Sequence, residues 1–385
     1  MKRFRKKGIY FGVKDYGDKT VNKDNKDHFC YRFDIDGKEK LFRIMNGKKD
    51  DEGHYNYPIQ NILKEGYRYM VSIDGDAVSA AAEIKDTEVK PYAPPVRGTP
   101  GKRTIKNFLK TALEPVGTTL YVYGGGWNWQ DTGASVQARK IGISPDWVMF
   151  FNSKDENYTY KETDGDEAKA DPKHSYYPYG GYNQYYFAGL DCSGFAGWAV
   201  YNTFETKDGN AGYVGPASGF AKRLSEKGWG EWTQDVTIPD GNNGYAMKPG
   251  DIISTNGHVW ISLGTCTDGS VVIVHSTPSM SRKGQPGGGV QVSAVGNDAS
   301  CLACKIAGKY MSTYHPEWYR RYPVTLCDPS KFFAFEGECA GRFSWDTEYS
   351  PGLTDPDGFR DMTPDKVLEA LLSDAGLHLC QRYPR

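Results

Sequence analysis

Lys90-Pro-Tyr-Ala-Pro-Pro-Val-Arg-Gly-Thr-Pro-Gly101 holds four prolines and two glycines within twelve residues. Proline has no backbone N–H and a fixed φ, so neither a helix nor a central strand runs through such a stretch. The chain therefore reads as two parts joined by a linker over residues 89–102. Its 385 residues suit more than one domain.

Residues 1–88 read as a small β-rich domain. Phe29, Tyr31, Phe33 and Ile35 alternate with polar neighbours, Asp36-Gly37 follows, and Leu41 to Ile44 resumes the apolar pattern. That is a hairpin signal. It recurs as Tyr67 to Ile73, Asp74-Gly75, and Ala77 to Ile84. A barrel-like arrangement of about five strands is expected, acting as a binding module.

After the linker the period changes. Ile105, Phe108, Leu109 and Ala112 have helical spacing behind Thr104 as N-cap. A second helix opens at Asp191-Cys-Ser-Gly194, with Phe195, Trp198 and Ala199 on one face, and a third spans 217–227. Strands then start at Asp251, His258 and Val271, with a fourth at Gly289 to Val292. Asp268-Gly269 supplies a turn between the second and third. Helices followed by an antiparallel meander define an α+β domain over 103–310. Residues 127–190 form a polar, Tyr-rich insert, and residues 311–385 form a C-terminal extension with a helix at Thr363 to Leu372.

Charge excludes some partners. Forty-seven Lys+Arg against 48 Asp+Glu leave −1, so no nucleic acid is expected. No run of about 20 apolar residues occurs, so no membrane span is expected. The basic start Met1 to Gly8 is not followed by an apolar stretch of signal-peptide length. A cytoplasmic protein is expected, with the cell envelope or extracellular space as the alternative. Eight cysteines are scattered along the chain, and only Cys301 and Cys304 form a close pair. The candidate partners His315, Cys327 and Cys339 match no common zinc spacing, so no metal is expected. No cofactor is required.

Cys192 stands at the first turn of a helix, where unpaired N–H groups and the dipole favour a thiolate. Ser193 and Gly194 are small and leave access to sulfur. His258 begins one strand and His275 ends the next, so pairing across Asp268-Gly269 brings the two imidazoles side by side. A thiol, a base and a group that orients the base make up the logic of nucleophilic catalysis. The alternative for each residue alone is a packed thiol or an ordinary core histidine.

Tyr121-Val-Tyr-Gly-Gly-Gly126, Asp191-Cys-Ser-Gly-Phe195, Gly250-Asp-Ile-Ile253, Gly257-His-Val-Trp-Ile261 and Val274-His-Ser-Thr277 occur in that order. Over about 103–295 the chain resembles the NlpC family of papain-like cysteine peptidases, which cleave cell-wall peptides. The resemblance implies Cys192 as nucleophile, His258 as general base and His275 as its orienting partner. It implies Tyr123 beside the nucleophile, Asp191 pairing with a substrate amine, and Ser193 and Gly257 contributing to substrate binding. The implied partner is peptidoglycan or free muropeptides, cut at the γ-D-glutamyl-diamino acid bond. The family usually places only a few residues between its glycine turn and its cysteine, whereas 127–190 lie between them here. That insert is expected to wall or lid the cleft. Other readings are a papain-like amidase or acyltransferase, a phage or secreted lysin, and a binding module on an inactive scaffold.

Overall fold

The computed structural model describes side chains over residues 94–125, 151–163, 189–204, 215–236, 246–349 and 351–377, together with Val148 and Phe150, and backbone alone for the strands before residue 86 and for the rest of the helix that begins at Pro145. Two compact units are present: residues 1–90 with 172–174, and the remainder.

In the first unit, β1 (Arg3–Lys6), β2 (Ile9–Asp15), β3 (His28–Ile35) and β4 (Lys38–Met45) form an antiparallel four-stranded meander. Two separate hairpin-like pairs follow, β5 (Lys48–Lys49) with β6 (Tyr55–Asn56), and β7 (Tyr67–Asp74) with β8 (Ala77–Lys85). The expected hairpins thus pair as Ile35↔Lys38 and Asp74↔Ala77. Among the described residues of this unit the strands make three sheets.

The second unit is α+β. Helix α1 is Ile105–Leu113, and the Thr104 hydroxyl accepts from the Asn107 N–H. Helix α2 is Pro145–Ser153, α3 Cys192–Phe204 and α4 Phe220–Ser225. Strands β9 (Gly230–Thr233), β10 (Ile252–Ser254), β11 (Val259–Thr265), β12 (Val271–Thr277) and β13 (Gly289–Val295) come next. Helices α5 (Leu302–Tyr314) and α6 (Pro316–Arg321), β14 (Leu326–Cys327), α7 (Pro329–Phe332), β15 (Gly341–Trp345) and α8 (Pro364–Ser373) complete the chain.

Seven strands form one sheet in the order β14-β13-β12-β11-β10-β15-β9. All pairs are antiparallel except β13 with β14. Every residue of β13, and all of β11 and β12 but their last, is buried, so both faces of the central sheet are covered. Helix α3 packs on β11, β12 and α1, while α5 packs on β12 and β13. Apart from Ser193, α3 is buried all round, the mark of a helix inside a core.

The boundary expected at residue 310 is not a boundary of this unit. Strand β15 lies between β10 and β9, with Ile252 opposite Phe343. Arg360, further along, ion-pairs with Asp251 at 2.6 Å, and both side chains are buried. The described residues of the extension expected over 311–385 belong to the same unit. A second difference concerns the stretch from Asp155, which composition marks as an exposed charged loop. Tyr158 is buried there, and its hydroxyl donates to the Tyr121 carbonyl at 2.8 Å. One aromatic with a satisfied hydroxyl outweighs the charged neighbours that dominate a composition reading.

Candidate active site

The nucleophile position is built by backbone packing. Leu120 bridges both Gly189 and Gly289, and Asp191 N–H donates to the Gly125 carbonyl at 2.7 Å. A side chain at Gly289 would strike the Thr119 carbonyl, and one at Gly189 would strike Val122 and sit 2.5 Å from the Leu120 carbonyl. Glycine at these positions lets the segment before Cys192 lie against the 120–125 turn.

Asp191 then starts α3. Its Oδ1 accepts from the Gly194 N–H at 2.7 Å and from the Ser193 hydroxyl at 3.1 Å. This is N-cap geometry. Burial raises the Asp191 carboxyl above the usual range, against the pull of those donors. Asp191 and Ser193, expected to contact substrate, thus bond to each other and to the helix that carries the cysteine.

Cys192 is buried, and its thiol lies 4.0 Å from the Gly257 carbonyl. Burial pushes this thiol up to about 12, with Asp191 adding to the effect. The N–H groups of Val259, Ser193 and Cys192 itself act in the opposite direction. The helix dipole favours a thiolate, but in this water-poor setting desolvation outweighs it. The resting thiol is therefore neutral, unlike the thiolate expected from position alone.

His258 stands immediately before β11, and His275 lies in β12. Ile261 pairs with Val274, and the ladder continues to Thr265 with Val271 across a bulge at Ser262 to Gly264. His258 Nε2 and His275 Nδ1 are 2.8 Å apart. His275 Nε2 is 3.0 Å from Ser293 Oγ on β13. Phe332 of α7 lies against both rings, 5.3 Å from His258 and 6.0 Å from His275. Burial lowers His258 to about 4 and takes His275 well below its ordinary value, so both rings are neutral at pH 7.

Gly257, whose carbonyl faces the thiol, is exposed, and a Cβ there would meet nothing within 4 Å. Tyr123 is 49% exposed. The tyrosine whose hydroxyl is destabilised as an anion by Cys192 and Asp191 is Tyr121, raised chiefly by burial. Tyr160, from the insert, meets Tyr121 edge to face at 5.5 Å. Tyr121 thus lies within electrostatic reach of Cys192. The tyrosines from Tyr176 to Tyr186, expected to wall the cleft, lie outside the described residues.

Sequence reasoning also missed Gln291, Ser293, Trp318 and Phe332. Their one signal is the pair of polar residues alternating with Val290, Val292 and Ala294 on a buried strand. Among the described residues no three His, Cys, Asp or Glu side chains are arranged to hold a metal ion, and no helix is long and apolar enough to cross a membrane. Set against known protein families, curated proteins and solved structures, the chain matches none.

Proposed function

We propose that this protein is a papain-like cysteine peptidase of the NlpC type that hydrolyses peptidoglycan stem peptides, at the γ-D-glutamyl-diamino acid bond. One observation carries the reading: a thiol at a helix start faces the residue before His258, whose ring meets His275 at 2.8 Å. A histidine pair, half-buried at His258 and buried at His275, beside a cysteine serves no packing purpose that two apolar side chains would not serve better.

Catalysis runs through this chain's own groups. Cys192 gives its proton to His258 Nδ1, the ring nitrogen that His275 leaves free, in the tautomer of the pair that carries the His258 proton on Nε2. The sulfur attacks the amide carbonyl, and the oxyanion is met by the backbone N–H of Cys192. His258 protonates the departing amine, and water hydrolyses the thioester. The N-terminal strands serve as a binding module for the wall polymer.

The test is digestion of purified murein and of free L-Ala-γ-D-Glu-diaminopimelate peptides, with mass analysis of products. Release of a new amino group by the wild type, and none by Cys192→Ala, is the expected result. If neither substrate yields an amine, the murein reading falls.

A further inference from the structure

The hydrogen bonds around His275 continue well beyond the pair. Ser293 Oγ lies 2.8 Å from Gln291 Nε2, which also reaches Thr325 Oγ1 at 2.8 Å. Gln291 Oε1 accepts from the Trp318 indole at 3.2 Å. His275, Ser293, Gln291 and Trp318 are all essentially inaccessible to water.

Donor and acceptor capacity gives this chain a direction. An indole N–H can only donate, so the Gln291 carboxamide turns its oxygen to Trp318 and its nitrogen to Ser293 and Thr325. Ser293 Oγ thus accepts from Gln291. Its own hydrogen has one acceptor within reach among the described residues, His275 Nε2. An unprotonated Nε2 puts the proton of neutral His275 on Nδ1, which donates to His258 Nε2. Neutral His258 is then left with its proton on Nδ1.

We propose that the Gln291 carboxamide sets the proton polarity of the histidine pair, and that Trp318 holds it so that resting His258 presents a donor, not an acceptor, toward the cleft. The opposite polarity has His258 Nε2–H donating to His275 Nδ1 and His275 Nε2–H donating to Ser293. It holds the same number of protons, exchanged through water, and needs an acceptor for the Ser293 hydrogen. A half-turn of the carboxamide would supply one. Gln291 and Trp318 are positioning residues, and their consequence for catalysis rests on the cysteine peptidase reading. Trp318 belongs to the segment after residue 310, so that segment takes part in setting the resting tautomer of His258.

Two-bond 15N–1H correlation spectra of the full-length 15N-labelled protein at pH 7 read the tautomers directly. His258→Gln and His275→Gln spectra assign the signals. In the wild type, both His258 and His275 are expected as Nδ1–H tautomers. A wild-type His258 carrying its proton on Nε2 overturns the proposal, whatever any variant does. Gln291→Glu keeps the shape and offers acceptors only. It is expected to convert His258 to the Nε2–H form and to raise alkylation of Cys192 by iodoacetamide at pH 7 about tenfold, as one unit of thiol pKa would. Unchanged tautomers in folded Gln291→Glu also overturn it. The tautomer spectra do not depend on hydrolysis, so failure of the murein assay leaves this result standing, and the reverse.

Discussion

Cys192 is subject to opposing influences: the start of α3 favours its anion, and the dry surroundings disfavour it. The shift to about 12 says which is larger in the resting protein. Alkylation of Cys192 by iodoacetamide, followed by peptide mapping, should therefore be slow at pH 7 and climb steadily above pH 9. A rate already at its plateau at pH 7 would mean a preformed thiolate. His315 shows a similar desolvation effect away from the site. It is buried against Tyr310, its Nε2 has no hydrogen-bond partner among the described residues, and burial lowers it to about 3. The unfolded chain takes up a proton near pH 6.5 that the folded ring refuses until about 3. Stability is thus lost as pH falls through that window, by up to ~1.4 kcal/mol per pH unit from this group. Urea unfolding of His315→Gln at pH 7, 5.5 and 4.5 should give a shallower pH slope than the wild type; an equal slope would show that the ring titrates normally.

At the scale of elements, the site depends on short backbone contacts. Gly189 is pressed between Leu120 and Val122, immediately before the segment that caps α3. Gly189→Ala should cost about 1–3 kcal/mol, as overpacking usually does, and should lower Cys192 reactivity by displacing the start of the helix. Denaturation and alkylation together check this; normal values for both would mean that the 120–125 turn yields freely. The same contacts explain what can be read from sequence. The Asp268-Gly269 turn makes β11 and β12 neighbours, so local patterning alone brings His258 and His275 together. Thr104 and Asp191 are legible as helix starts because capping is chemistry within three residues.

Across the whole molecule, the pairing of β10 with β15 joins Ile252 to Phe343, residues with no local relation. Five residues of β15 give too short a pattern to announce a place inside a sheet. For that reason sequence patterning ends the unit too early, at residue 310, and leaves the contributions of Trp318, Phe332 and Arg360 invisible. Arg360 donates to Asp251, to the Pro249 carbonyl and to Ser344, beneath the strand that leads to His258. Removing Arg360 leaves the buried Asp251 carboxylate with only a 4.0 Å contact to Arg342 as its ion pair, so Arg360→Ala should lose about 3–5 kcal/mol in denaturant unfolding. A loss below about 1 kcal/mol would show that water reaches Asp251 and that the pair does not hold the tail in place. The proposed mechanism stands on acyl transfer to one sulfur. The most direct measurement mixes the protein with a stem peptide, quenches in acid within one turnover, and maps the mass of the cysteine peptides. An acyl adduct, the peptide minus its leaving amine, is predicted on the fragment containing Cys192. Amine release that proceeds unchanged in Cys192→Ala, with no adduct on that fragment in the wild type, would contradict it.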